Sequence, residues 1–393
     1  MTVLITNGHH YSIAKYLNNP KIIYTKLDQD LPKVLPLFSQ NIEFTQDLER
    51  VLTEKHYKDL ILFDYSDENA SKYFNLGFNV WSGNNYTPFE ENRLQFIRKL
   101  EKNRINFPPT DVAFSPEELI SIIKKQKGKF VVKGWKPGTR IFTYPEQALY
   151  FIEYFQRKNP DKTLVQKPVL IQQYVEGYEI SCEVYFNKGE FFYANFTIEE
   201  KFSQENETGK IVGCANNVVL PLLDRPKLRK ILDIMFKFVD EGYHGFFDLN
   251  FIYSSDKIYA LEITPRIGYL GTITFADMLY SEHILYDDFL DKQTIPSGKF
   301  YGYGMVIELA ENIEFDIQPY LFEHFIPESV AWENGRYIII DYELGCIQAS
   351  ATSIKEAIEI AHKKFEILHD SIPFLQTKFP DKHLFDRINF FLS

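Results

Sequence analysis

Between Gly245 and Arg266 the chain reads Gly-Phe-Phe-Asp-Leu-Asn-Phe-Ile-Tyr, a polar Ser-Ser-Asp-Lys tip, then Ile-Tyr-Ala-Leu-Glu-Ile-Thr-Pro-Arg. Alternation on both sides of a short polar tip predicts a β-hairpin. Residues two apart in a strand share a face, so Asp248 and Asn250 point one way while Phe247, Leu249 and Phe251 point the other. On the return strand Ala260, Glu262 and Thr264 are expected to share a face. Two carboxylates gathered on one face repel unless a hard cation lies between them, and magnesium with nucleotide phosphates is the usual guest. Register decides this: a two-residue loop pairs 248 with 263 and parts the carboxylates, whereas an odd loop or a bulge aligns them. The aligned case is expected; the alternative is a plain polar face on a half-solvated sheet.

Two further clusters point the same way. Lys133 ends the apolar run Phe130-Val131-Val132 and leads into Gly134-Trp135-Lys136-Pro137-Gly138-Thr139-Arg140, the composition of a loop that lets backbone and ammonium approach phosphate, or of a solvated turn. The run Leu170-Ile171-Gln172-Gln173-Tyr174-Val175-Glu176-Gly177-Tyr178-Glu179 places a polar pair, an apolar pair, Gly and Glu where a linker can read an adenine edge and ribose hydroxyls; an ordinary strand end would look similar.

Ahead of these, short apolar runs (Val3-Leu4-Ile5, Ile22-Ile23, Leu60-Ile61-Leu62-Phe63, Phe78 to Trp81) alternate with helical stretches, which predicts a parallel sheet covered by helices. Asn7-Gly8 follows the first strand, where such folds turn toward a ligand, but a lone Gly is no dinucleotide fingerprint and an ordinary turn is the favoured reading. Thr87-Pro88-Phe89-Glu90, Ser115-Pro116-Glu117-Glu118, Thr143-Tyr144-Pro145-Glu146 and Ser353-Ile354-Lys355-Glu356 read as helix N-termini, the first opening a helix to about Asn103. Ala357, Ile358, Ala361, Phe365 and Leu368 line one face of the last helix.

Charge narrows the partners. With 43 Lys+Arg against 54 Asp+Glu the net charge is −11, which disfavours a nucleic acid polymer. No run approaches the ~18 apolar residues of a membrane span, and the first sixteen residues lack a secretory leader's basic start. Cys182, Cys214 and Cys346 are few and far apart, as expected of reduced thiols in a cytoplasmic protein without a zinc site. His244, beside the hairpin, reads as a core histidine rather than a substrate contact.

In order, a basic residue on a helix (Arg93), Lys133 after an apolar strand, the Glu176-Gly177-x-Glu179 linker, and Asp248 followed by Glu262-x-Thr264-Pro265-Arg266 resemble the ATP-grasp superfamily, most closely phosphoribosylamine-glycine ligases. The segment Asn75 to Gly83 and the tail's Cys346-Ile347-Gln348-Ala349-Ser350-Ala351 are similar to that family too, so the likeness spans nearly the whole chain. It implies an ATP-grasp fold of α/β and α+β parts. The expected domains are an N-terminal Rossmann-like parallel-sheet domain over 1–87, an ATP-grasp domain over 88–296 with a mobile lid at about 110–172, and a small α+β domain over 297–393.

The resemblance also implies roles. Lys133 and Arg93 would hold ATP phosphates under a mobile loop from Gly134 through Gly138 to Arg140. Gln172, Tyr174 and Val175 would line the adenine pocket and Glu179 would bind ribose. Asp248, Glu262 and Thr264 would hold magnesium, or manganese in its place, and Arg266 would steady the transferring phosphoryl group. The family carries Asn where Thr264 stands. It also has a fuller glycine-rich start than Gly8-His9-His10, and a glycine-rich stretch where this chain has Gly213-Cys214-Ala215-Asn216-Asn217. The implied activity is ATP-dependent joining of a carboxylate such as glycine to an amine, as in purine biosynthesis, by a cytoplasmic monomer or homodimer. The alternatives are a ligase for another amino acid or amine, and a catalytically silent nucleotide binder. A Rossmann dehydrogenase is disfavoured because no GxGxxG follows Val3-Leu4-Ile5.

Overall fold

The computed structural model describes every residue except 8–10, 26–38, 40, 56–58, 66, 136–137, 161–163, 166, 205–207, 256, 311–315, 334 and 340. The segment Gly8-His9-His10, residues Lys136 and Pro137 of the glycine loop, and Asp256 of the hairpin tip therefore lie outside the described residues. The chain forms two compact units, one of residues 1–87, 180–249 and 264–393, the other of 88–179 and 250–263.

The first unit begins with five strands, β1 (Thr2–Thr6), β2 (Lys21–Tyr24), β3 (Ile42–Phe44), β4 (Leu60–Phe63) and β5 (Asn79–Trp81), in the order β3-β2-β1-β4-β5. Every neighbouring pair is parallel, Val3 opposite Lys21 and Ile61, and Leu60 opposite Asn79. β1, β2 and β4 are buried throughout, as strands covered on both faces must be. Val3, Ile5, Ile23, Ile61, Phe63 and Val80 pack with Val51 and Leu52 of helix α1 (Leu48–Lys55) and Ala70 and Tyr73 of α2 (Glu68–Asn75). The expected helix near Tyr11 is a 3-10 helix, Tyr11–Tyr16.

The second unit opens with α3 (Thr87–Glu91) and α4 (Arg93–Lys102). The single helix expected from Thr87 is thus broken at Asn92, whose non-helical backbone (φ −103°, ψ 78°) and side-chain acceptor for the Gln95 amide restart it; Thr87 Oγ1 has no hydrogen-bond partner among the described residues. Strands β6 (Thr110–Ala113), β7 (Phe130–Lys133), β8 (Arg140–Phe142) and β9 (Val169–Gln173) form an antiparallel sheet in the order β6-β9-β7-β8. α5 (Pro116–Ile123) and α6 (Pro145–Lys158) close a core of Leu119, Ile123, Phe130, Val132, Phe142, Ala148, Ile152 and Ile171. Ser115 caps α5 as its sequence predicts, accepting from Glu118 N at 3.2 Å. α6 is instead preceded by Tyr144 with no side-chain cap, and Gln147 reaches back to the Thr143 amide.

In the first unit β10 (Tyr178–Asn187), β11 (Glu190–Gln204) and β12 (Thr208–Leu220) meander into a large sheet. After α7 (Pro226–Phe238) come β13 (Gly245–Ser254) and β14 (Lys257–Thr264), the hairpin read from sequence, which runs through both units. α8 (Gly271–Ser281), α9 (Tyr286–Lys292) and β15 (Tyr301–Leu309) follow. The tail supplies β16 (Asp316–Ile317), β17 (Ile326–Pro327), β18 (Val330–Glu333), β19 (Arg336–Ile339), β20 (Glu343–Ala351), α10 (Ile354–Ser371), β21 (Leu375–Gln376) and α11 (Lys382–Leu392). Sheet order in this unit is β13-β10-β11-β12-β15-β20-β17, so the tail extends the central sheet through β15, while β16-β19-β18 make a small sheet of their own. Ala357, Ile358, Ala361, Phe365 and Leu368 are the buried face of α10, and Ser353 caps it.

Candidate active site

In the second unit β7 runs apolar to Lys133, which is 8% exposed and sits opposite Leu170 of β9. Gly134 and Gly138 both adopt positive φ, +82° and +83°, the conformation that makes glycine necessary in the turn after Lys133. Trp135 between them is buried at 4%, wedged against Phe142 and Phe151, and its indole N–H donates to the Gly138 carbonyl. The loop is therefore pinned at one end by an aromatic anchor that a stretch of small residues would lack. Gln172, 3% exposed, donates its amide to Thr110 Oγ1 at 3.0 Å across the β6–β9 pair. Tyr174 and Val175 are half-buried after β9, and Glu179 lies at the start of β10. Gly177 backs so closely onto Tyr253 and Ile252 that no Cβ would fit. Sequence reading passed over Lys129, whose ammonium lies 3.6 Å from the centre of the Tyr174 ring. The signal was there, a cation one residue before the strand that ends in Lys133.

Also in this unit, Arg93 at the start of α4 pairs with Glu262 Oε2 at 3.1 Å, and Asn250 Nδ2 donates to Glu262 Oε1 at 3.3 Å. β13 ends at Ser254 and β14 begins at Lys257, a spacing that in a regular hairpin would set Glu262 and Asn250 on opposite faces. Along β14, Ile258 and Ala260 are buried (7% and 1%) and then Ile263 (3%), so the buried phase shifts by one residue between 260 and 263. Ala260 therefore lies on the core side while Glu262 is half-buried, which corrects the expectation that Ala260 shares the face of Glu262 and Thr264.

In the first unit Asp248 is half-buried on β13, and its Oδ1 has no hydrogen-bond partner among the described residues. Burial, and then the carboxylates of Glu183 and Glu199, push its carboxyl well above the usual range, against a hydrogen bond from Ser181 and the charge of Lys201. Lys201 and Glu199 form an ion pair at 3.6 Å. Sequence reading missed Ser181, Glu183, Glu199 and Lys201; their signal was the alternation of polar residues along two apolar strands. Thr264 ends β14, and Arg266 follows it with Nη1 donating to the Ile267 carbonyl at 3.2 Å. His244 is 3% exposed, stacks on Phe74 at 4.9 Å and meets the tilted Trp81 ring at 4.6 Å, with its imidazole pushed down to about 4 by burial. It is a core residue. The Gly213–Asn217 stretch is continuous strand, with Asn216 and Asn217 fully buried, so no glycine loop exists there.

Asp248 Oδ1, a buried oxygen with no hydrogen-bond partner among the described residues, is a donor of the kind a hard dication takes. Among the described residues no group of three or more His, Cys, Asp or Glu is arranged to hold a metal.

The elements and their order define a known class. Residues 90–269 match the family model of the ATP-grasp domain, and the chain has the ATP-grasp fold. The fold over nearly the full length is shared with several solved structures. Phosphoribosylamine-glycine ligase from Thermotoga maritima aligns at 16% identity and a TM-score of 0.71, covering 96% of this chain and 98% of that one. N5-carboxyaminoimidazole synthase from Aspergillus clavatus, solved with ADP and an aminoimidazole ribonucleotide, aligns at 14% identity and 0.62, covering 93% and 98%. L-amino acid ligase from Bacillus licheniformis aligns at 12% and 0.60, covering 97% and 98%. No curated protein matches the sequence. Among the described residues no helix is long and apolar enough to cross a membrane.

Proposed function

We propose that this protein is an ATP-dependent carboxylate-amine ligase. The observation that carries the reading is the Arg93–Glu262–Asn250 constellation at the hairpin, a guanidinium and an amide gathered on one carboxylate within the stretch that matches the ATP-grasp model. Its likeness in fold to ligases and synthetases, an L-amino acid ligase among them, supports the same class.

In this reading Lys133, Gly134 and Gly138 bind the phosphates, Gln172, Tyr174 and Val175 line the base, and Glu179 accepts from ribose. Asp248, Glu262 and Thr264 are the residues that would hold magnesium, which would supply charge neutralisation for phosphoryl transfer. Arg266 steadies the oxygens that gain charge. One carboxylate oxygen of the acid substrate takes the γ-phosphoryl group as the bond to ADP breaks. The amine then attacks the acyl carbon, inorganic phosphate leaves, and the nitrogen gives its extra proton to solvent. No side chain is needed as a covalent nucleophile.

ADP release from Mg-ATP, measured with glycine and phosphoribosylamine beside a panel of other amino acids and amines, tests the reading. We expect turnover with one pair and a loss of at least 100-fold in Glu262→Ala. Turnover with glycine and phosphoribosylamine would place the protein in purine synthesis. Turnover only with another pair would keep the ligase and discard that pathway, and ATP binding without turnover on any pair would sink the ligase reading.

A further inference from the structure

β10 buries Cys182, Val184 and Tyr185 almost completely, and in their midst it carries the carboxylate of Glu183, itself 4% exposed. A buried carboxylate is costly unless donors surround it, and an apolar residue would serve packing better. Here three donors converge: Tyr185 Oη at 2.6 Å and Asn195 Nδ2 at 2.9 Å on one oxygen, Thr272 Oγ1 at 2.8 Å on the other. Thr272 has a single hydroxyl proton and gives it to Glu183, which turns its lone pairs toward the backbone. They accept the Gly268 N–H at 2.8 Å.

That amide belongs to the turn between β14 and α8, which carries Arg266. The start of the turn is fixed as well: Gly83 packs so closely on Pro265 that a Cβ would overlap it. Ile267 and Leu270 are buried at 0% and 1%, so between the two clamps Arg266 has little freedom in its backbone.

We propose that Thr272, its hydroxyl held by Glu183, is a positioning residue which through the Gly268 amide sets the Arg266 turn for phosphoryl transfer. The inference rests on the ligase reading for what Arg266 does, but not for the relay itself. The Glu183 carboxyl takes the Thr272 hydroxyl proton and so holds that side chain in the rotamer whose lone pair receives the Gly268 N–H. An error of about 1 Å at such a group costs about 100-fold in rate.

The test compares Thr272→Val, which deletes the hydroxyl, with Thr272→Ser, which restores it. In the unliganded protein we expect amide exchange at Gly268 to speed at least 10-fold in Thr272→Val and to stay within 3-fold of wild type in Thr272→Ser. The Thr274 amide, bonded to the Leu270 carbonyl at 2.9 Å, reports whether the helix itself has loosened. In the ADP-release assay kcat should fall about 10- to 100-fold in Thr272→Val with KM for ATP within 3-fold, and Thr272→Ser should recover most of it. Unchanged Gly268 exchange, exchange that rises equally at Thr274, or an unchanged kcat in Thr272→Val would overturn the proposal. If wild type releases no ADP on any pair, the ligase reading fails while the exchange rates still decide the relay.

Discussion

Glu328 illustrates how far a single residue departs from its sequence label. Its carboxyl is pushed up to about 8, by burial first and then by Glu343, against hydrogen bonds from Tyr269 and Ser12. The Tyr11 hydroxyl holds its backbone carbonyl, and Tyr269 also donates to Glu343. The folded state therefore keeps a proton that the unfolded chain releases near the ordinary value of 4.5. With more protons bound in the folded state, stability falls as pH rises from about 4.5 to about 8. Glu328→Gln should remove that slope and raise stability at pH 8.5 by on the order of 3 kcal/mol relative to wild type, with little change at pH 5. Thermal melts at the two pH values decide it; equal melting temperatures for both proteins at pH 8.5 would refute the assignment. Glu262, by contrast, was legible by type and spacing, because a carboxylate two residues before Thr-Pro-Arg at a strand end admits few roles. Its pairing with Arg93, remote in sequence, was not.

Among the elements, local signals succeeded wherever the physics is local. Ser115 and Ser353 cap their helices because a side-chain oxygen needs only the amide three residues on. Thr87 failed as a cap because its own backbone is helical, continuing a 3-10 turn over Asn84–Tyr86, and Thr143 failed because Tyr144 occupies the position before Pro145. The contact of Asn250 with Glu262 depends on which side chains of β14 find a core, and periodicity alone cannot supply that. The loop after Lys133 gives a prediction at this scale. Trp135→Phe keeps the ring packing against Phe142 and Phe151 but removes the donor to the Gly138 carbonyl. We expect amide exchange across 134–139 to quicken and KM for ATP to rise several-fold, with a change in stability of about 1 kcal/mol, the usual worth of one hydrogen bond. Exchange and KM both unchanged would show that the glycines alone hold the loop.

At the scale of the molecule, the tail from about residue 297 is built into the first unit instead of standing apart. β15 pairs with β12, Asn217 opposite Gly304, and β20 pairs with β15. A buried ionic network fastens the end of the chain to the same sheet. Lys378 lies 3.2 Å from Glu200 and 3.9 Å from Asp381, Arg387 lies 4.0 Å from Glu200 and donates to the Glu199 carbonyl at 2.9 Å, and Asn216 bonds both Glu200 and the Lys378 carbonyl. Lys378 and Glu200 are 5% and 1% exposed as side chains. Breaking such a pair from one side strands the other charge, so Lys378→Met should cost about 3–5 kcal/mol in a denaturant titration, and a loss below about 1 kcal/mol would mean water already reaches the network.

The sequence by itself determined the parallel N-terminal sheet, the hairpin, the helix starts at Ser115 and Ser353, and the ordered residues that resemble an ATP-grasp domain. Each depends on near neighbours: strand alternation, a cap three residues away, a carboxylate beside its own turn. Tertiary structure alone decided that Arg93 meets Glu262, that Trp135 anchors the glycine loop, that Glu183 and Glu199 crowd Asp248, and that the tail joins the central sheet. Those outcomes depend on which distant side chains compete for the same buried space and the same few hydrogen-bond partners, and that competition is settled only when the whole chain has folded.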